Sequence, residues 1–100
     1  MSTWSTQKNQ GKIIGAMTYE TTPELWKQIS QWQPKEKRYQ VNLEEVTQAD
    51  SAGMVLLIHL IEHAKKRNCH IMLSFLPEQL GTLFKLSNVN ALLAEHSSTK

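Results

Sequence analysis

The residues best suited to binding or chemical modification lie in one short run, Asp50-Ser51-Ala52-Gly53, directly before a long apolar segment. An acid followed by a hydroxyl is typical of a helix N-terminus, where several backbone N–H groups lack partners within the helix. Asp50 is accounted for as the N-cap. The Ser51 hydroxyl is expected to project from the first turn, where the helix dipole favours a phosphate or an acceptor on a partner. A plain capping role is the alternative for Ser51.

Histidine and cysteine offer little further chemistry. His59 and His63 are four residues apart and could share one face of a helix, but the sequence suggests no third ligand, so no metal site is predicted. Cys69 is the only cysteine, which rules out an internal disulfide and fits a reducing compartment. No set of nucleophile, base and orienting acid is suggested, and no Gly-rich phosphate loop is present. A non-enzymatic protein without a cofactor is therefore predicted.

The composition predicts a single soluble domain. The chain has 100 residues and a formal net charge of +2. Its basic residues are scattered apart from two short runs around residues 35–38 and 65–67, so no nucleic-acid-binding surface is predicted. The nearly apolar stretch from Met54 to Ile61 is far too short to span a bilayer, and the N-terminus lacks the apolar core of a secretory signal. A cytoplasmic protein without direct membrane insertion is expected.

Strand and helix patterns alternate along the chain, which predicts an α/β fold with parallel crossovers. The expectation is a mixed four-stranded sheet covered by three helices. The predicted strands lie at 11–19, 39–43 and 70–75, and the first is either one strand or a hairpin broken near Gly15. The first two predicted helices begin with Thr22 and Asp50 as their N-caps, and the third begins at Pro77. Residues 44–49 are predicted as a loop.

The domain boundaries follow from the same patterns. Residues 1–10 are polar and predict a flexible N-terminal arm, in which Trp4 has no assigned role. The domain is expected at 11–94, closing with an apolar segment that contains Val89, Leu92 and Leu93. Residues 95–100 are expected to form a polar tail.

The helix beginning at Asp50 carries apolar residues around more than half of its first turns. At 100° per residue one face is expected to pack on the sheet; it consists of Leu57, Leu60, Ile61 and Ala64. The flanking residues are Met54, Leu56 and Ile58. They are either covered by neighbouring elements or part of an exposed patch that meets a partner, and the sequence leaves both open. The opposite stripe consists of Val55, His59, Glu62 and Lys66.

Four segments together resemble the signature of the STAS domain family, which includes the anti-sigma factor antagonists. They are residues 41–43, 46–53, 56–66 and 83–89. In that family a strand leads through a loop into a D-S-x-G turn at a helix start, and Asp50, Ser51, Ala52 and Gly53 match it by position. Ala52 takes a place that is often Ser or Gly, which is a mild departure.

Within the family the chain is most similar to the accessory STAS subunits of phospholipid-transport ABC complexes in Gram-negative inner membranes, and Leu25-Trp26 shares in this similarity. The resemblance implies a STAS fold and binding to the cytoplasmic ABC-transporter ATPase subunit, with peripheral association to the inner membrane through that partner. It also implies a role in outer-membrane lipid asymmetry. The implied contact is the D-S-x-G turn with the helix behind it: Met54, Val55, Leu56, Ile58 and His59.

Two other readings stay open. The chain could be an anti-sigma factor antagonist that binds a serine kinase and is switched by phosphorylation at Ser51, the position that matches the phosphorylated hydroxyl of those proteins. It could also act as a homodimer.

Overall fold

The structure is a computed structural model that describes residues 2–87, and it consists of a five-stranded sheet and three helices. The elements in chain order are β1 (Thr3–Thr6), β2 (Gln10–Met17), α1 (Thr22–Ser30), β3 (Arg38–Asn42), β4 (Val46–Ala49), α2 (Ser51–Lys65), β5 (His70–Ser74) and α3 (Glu78–Leu86). The predicted closing segment at Val89, Leu92 and Leu93 and the predicted tail lie outside the described residues.

The sheet is mixed, as predicted. Its main path runs β1-β2-β3-β5, with β1 antiparallel to β2 and the remaining pairs parallel. Tyr39 lies opposite Ile71 and Val41 opposite Leu73, which confirms that these two predicted strands are parallel neighbours. The strand β4 pairs in parallel with the second half of β2, beyond an irregularity at Gly15, whose φ of 100° suits glycine.

Two sequence predictions are wrong, and each concealed one strand; the segment predicted at 11–19 forms the single strand β2 and not a hairpin. The loose arm contains β1, which pairs with β2 and buries Trp4 in the core, where its ring meets Trp32 edge-on at 5.3 Å. The loop predicted at 44–49 contains β4. Both strands have four residues and one or no buried side chain, so the apolar alternation that marks a strand is missing from them.

The N-cap of α1 lies one residue before the predicted one, Thr22. Thr21 is the N-cap and Thr22 is the first helical residue, followed by Pro23. The Thr21 hydroxyl does not cap the helix; it donates to the Ala16 carbonyl and accepts from the Thr18 N–H, so it braces the turn between β2 and α1.

A single core joins one face of the sheet to all three helices. Alternate residues of β3 and β5 point into it, and α2 lies at its centre in contact with α1, α3, β4 and β5. The predicted core face of α2 is confirmed, because every member is fully or almost fully buried: Leu57, Leu60, Ile61 and Ala64.

Candidate partner-binding site

Asp50 joins three parts of the molecule at the N-terminus of α2. Its backbone is extended, and its Oδ1 atom accepts hydrogen bonds from the N–H of Ala52 (2.9 Å) and Gly53 (3.4 Å). Its Oδ2 atom accepts from the Tyr19 N–H at 3.1 Å, and its own N–H donates to the Met17 carbonyl. The predicted N-cap is therefore confirmed, and the same carboxylate also holds the loop between β2 and α1.

Ser51 lies on the first turn of α2 and is exposed, as predicted. Within residues 2–87 its hydroxyl takes no part in the cap, which Asp50 supplies alone. Gly53 is buried in the same turn, because α2 begins directly on the end of β2. The two residues therefore differ in role: Gly53 allows α2 to pack closely against the end of β2, and Ser51 is exposed to solvent.

The predicted contact residues on α2 divide by burial. Met54 and Leu56 are 8% and 3% exposed, so an exposed patch built on them is wrong. The reason is that α1, α3 and the sheet pack against several sides of α2. These contacts bury most of the apolar residues that surround its first turns. Val55 and His59 are exposed, and Ile58 is half-buried. The outward stripe of α2, rather than its flanks, is available to a partner.

An apolar groove of about 460 Å³ runs between α1 and α2. Val55 on α2 and Trp26 on α1 are the large apolar side chains on its two walls, 44% and 36% exposed. The complete lining is Thr22, Pro23, Trp26, Ala52, Val55, Leu56 and His59. Exposed aromatic and branched side chains around a concavity are typical of a protein-binding surface.

The far end of the groove is basic. A second cavity of about 290 Å³ shares Trp26 and His59 with the groove and continues along α2 to Lys66 and Arg67. Here the Trp26 ring lies 5.7 Å from the His59 ring and 5.9 Å from that of His63. We call this part, lined by Trp26, His59, Glu62, His63, Lys66 and Arg67, the basic end of the groove.

The tautomer of His63 follows from its two neighbours. Its Nε2 atom is 2.8 Å from the Trp32 carbonyl oxygen, which can only accept, so this nitrogen carries the proton. Its Nδ1 atom is 3.4 Å from Nη1 of Arg67, which can only donate. This tautomer satisfies both contacts, and the bond to the Trp32 carbonyl joins the segment after α1 to α2. Among residues 2–87 no cluster of three His, Cys, Asp or Glu side chains is arranged to hold a metal ion.

Another groove, of about 480 Å³, lies on the other side of the α2 N-terminus, against α3. Ser51 and Thr82 are among its lining residues, and Gln79 of α3 accepts a hydrogen bond from the Ala49 N–H. Ser51 lines this groove and Ala52 lines the apolar one, so the D-S-x-G turn separates two concave surfaces.

The sequence analysis did not predict that three aromatic residues, Tyr19, Trp26 and Phe75, lie exposed on the surface. Tyr19 and Phe75 are 72% and 46% exposed and follow β2 and β5, whose carboxyl ends lie at the same edge of the sheet as the start of α2. Phe75 also has a φ of 57°, which is uncommon for a bulky residue. Trp26 could have been recognised, because it lies off the face of α1 that buries Leu25 and Ile29.

A family model described as Mlab, STAS domain matches residues 5–94. The chain belongs to the STAS domain family. Curated relatives from Escherichia coli (strain K12) and Shigella flexneri, each an intermembrane phospholipid transport system binding protein MlaB, are 37% identical over 51 residues. That alignment covers 51% of this chain and 53% of each relative, so the chain spans about half the length of the curated relatives it matches.

Solved structures agree on the STAS fold. A sulfate transporter family protein from Wolinella succinogenes superposes with a TM-score of 0.68 and 22% identity, covering 89% of this chain and 74% of that one. The anti-sigma factor antagonist SpoIIAA in its unphosphorylated form gives a TM-score of 0.64 at 12% identity, covering 92% and 97%. The predicted fold class is confirmed, with five strands in place of four. No helix within residues 2–87 has the length and apolar character needed to cross a bilayer.

Proposed function

We propose that this STAS chain is a non-enzymatic accessory subunit that binds the cytoplasmic ATPase of an Mla-type phospholipid ABC transporter. The partner would be an MlaF-like ATPase subunit, and the chain would be cytoplasmic and held at the inner membrane through it. Binding would support assembly and activity of a transporter that maintains outer-membrane lipid asymmetry. The similarity to MlaB proteins supports the choice of transporter.

The observation that carries this proposal is the apolar groove between α1 and α2. Val55 and Trp26 stay exposed there although the core beside them is closely packed. Full burial of such a side chain from water contributes about 1.5–3 kcal/mol, and covering the exposed 44% of Val55 and 36% of Trp26 would contribute a part of this. The D-S-x-G turn borders the groove through Ala52 and gives it a rigid edge, because Asp50 caps α2 and holds the Tyr19 loop at once.

The direct test is copurification of the tagged chain with the MlaF-like ATPase subunit encoded in the same genome. Val55→Glu should reduce binding at least tenfold, because a carboxylate would be desolvated in an apolar contact without a counter-charge. Thr3→Glu is the matched control, since Thr3 is also exposed and β-branched but lies on β1. Both variants should melt close to the wild type. Absence of binding by the wild type, or equal binding by both variants, would overturn the proposal.

A second candidate function is that of an anti-sigma factor antagonist controlled by a serine kinase. The specific observation in its favour is the exposed Ser51 hydroxyl, which the cap leaves free for modification at a helix N-terminus. A phosphate there would be stabilised by the helix dipole. Phosphorylation of Ser51 by a kinase from the same cell, together with failure to bind the ATPase, would select this function.

A further inference from the structure

We propose that the segment of the ATPase that occupies the groove is an amphipathic α-helix with acidic residues at one end. This inference rests on the proposed function and adds the chemistry and orientation of the bound segment. The apolar part of that helix would lie against Val55 and Trp26. Its acidic end would lie over Lys66 and Arg67.

The shape of the surface is the first step. The apolar groove and its basic end form one continuous depression, because both are lined by Trp26 and His59. It follows α2 from Ala52 to the end of the helix at Lys65, which corresponds to about 20 Å at roughly 1.5 Å per helical residue, and continues beyond it to Lys66 and Arg67. The walls are side chains of two helices, and such grooves are typically filled by the apolar face of a third helix of about four turns.

The charge distribution is the second step. Lys66 and Arg67 are exposed, and within residues 2–87 neither has a carboxylate at salt-bridge distance. The acid in this part of the surface, Glu62, lies 3.9 Å from Nδ1 of His59. The basic end therefore has an excess of positive charge, while the opposite end of the groove is lined by Thr22, Pro23, Ala52 and Val55, which carry no charge.

Charge complementarity between the groove and its partner indicates which kind of segment binds there. Charges that face each other across an interface fix register and orientation, so an acidic end on the bound helix permits one direction along the groove. The basic residues also suit the negative end of the α2 dipole. The helix dipole accounts for the positive charge of these residues. It does not explain why Trp26, which lines the same cavity, is exposed. A flat anionic membrane surface would fit the concave groove poorly.

The test measures affinity for the purified MlaF-like ATPase subunit at ionic strengths of about 0.01 and 0.15 M, between which the Debye length falls from roughly 30 to 8 Å. Wild-type binding should weaken as salt rises. The double variant Lys66→Glu/Arg67→Glu should bind about tenfold more weakly at low salt, and its binding should strengthen as salt rises, because salt screens the repulsion between the new carboxylates and the acidic end of the helix. Lys8→Glu, in the exposed turn between β1 and β2, is the matched control and should bind like the wild type.

Each outcome separates the inference from the proposed function. Failure of the wild type to bind overturns both. Loss of binding in Val55→Glu with normal affinity and salt dependence in the double variant keeps the docking groove and overturns the acidic helix. The single variant Lys66→Glu, which leaves the Arg67–His63 contact intact, decides the matter if the double variant melts early. Sedimentation of the chain alone with phosphatidylglycerol vesicles, lost in Lys66→Glu, would assign the basic end to lipid headgroups and overturn the inference.

Discussion

Gly53 and Met17 approach so closely that a β-carbon on Gly53 would lie 2.5 Å from the carbonyl oxygen of Met17. The same carbonyl accepts a hydrogen bond from the Asp50 N–H, so the end of β2 and the start of α2 are joined by a fixed polar contact. Because the obstacle is backbone, it cannot rotate away from a larger residue. The glycine of the D-S-x-G turn is therefore required by packing, whatever it contributes to a partner.

Replacing Gly53 with alanine should lower the free energy of unfolding by about 1–3 kcal/mol, the usual cost of overpacking. Gly81→Ala is the control, because among residues 2–87 its β-carbon would meet only the Leu76 side chain, at 3.9 Å. Alanine in the interior of α3 should raise stability by about 0.5–1 kcal/mol. Urea denaturation of both variants measures the difference. Similar stability in the two would show that α2 can shift away from β2.

Asp50→Ala should cost about 1–2 kcal/mol of stability, since it removes the cap of α2 and the acceptor for Tyr19 together. Asp50→Asn should cost less, because its amide oxygen can still accept from Ala52 while the bond from Tyr19 is lost. Chemical denaturation compares the two variants, and hydrogen exchange of the Tyr19 amide should be faster than in the wild type in both. An unchanged Tyr19 amide in Asp50→Asn would contradict the role given to the second carboxylate oxygen.

The elements that the sequence predicted well are those with a strong apolar period. In β3 and β5 every second residue is buried, and Leu57 and Ile61 recur on one face of α2. The strands β1 and β4 escaped prediction because their residues are mostly polar and their stability comes from pairing with β2, a contact distant in sequence. Local patterns do not record such pairing.

The local geometry of the candidate site was predicted in part for a similar reason. A cap and an exposed hydroxyl at Asp50 and Ser51 follow from local chemistry, and the structure has both. Whether Met54 and Leu56 are covered depends on how many elements surround α2, and this is a property of the assembled fold. The groove beside Trp26 likewise exists only once α1 lies against α2.

Truncation of Leu57 or Ile61 to alanine should cost about 2–5 kcal/mol, as for other large core side chains. Both are at most 2% exposed and lie where α2 meets the rest of the core. Val55→Ala on the outward stripe should cost much less stability while weakening ATPase binding. Chemical denaturation provides the comparison, and losses near zero at both core positions would mean that α2 is rotated from the orientation described.

Alkaline pH should destabilise the fold partly through Cys69. Burial raises the pKa of its thiol above the ordinary 9.0. As pH rises past 9.0, the Cys69 thiol ionises in the unfolded chain before it ionises in the folded protein, which favours unfolding. The contribution of Cys69 to stability is therefore fully present below pH 9.0 and falls as pH rises beyond it. Burial also raises the pKa of Tyr39, which acts in the same direction. Cys69→Ala should therefore lose less stability than the wild type between about pH 8 and pH 10. Parallel curves for the two proteins would contradict this.

Ser51→Glu should separate folding from docking. A negative charge at the N-terminus of α2 is favoured by about 0.3–1 kcal/mol, and Asp50 keeps the cap, so the variant should melt like the wild type or slightly higher. Binding to the MlaF-like ATPase should nevertheless weaken, because the carboxylate would enter a fitted interface without a prepared counter-charge. Ser51→Ala is the matched control for loss of the hydroxyl alone. Copurification and a melting curve for each variant give both quantities. A Ser51→Glu variant that melts like the wild type and binds equally well would place Ser51 outside the interface and leave it a neighbour of the cap.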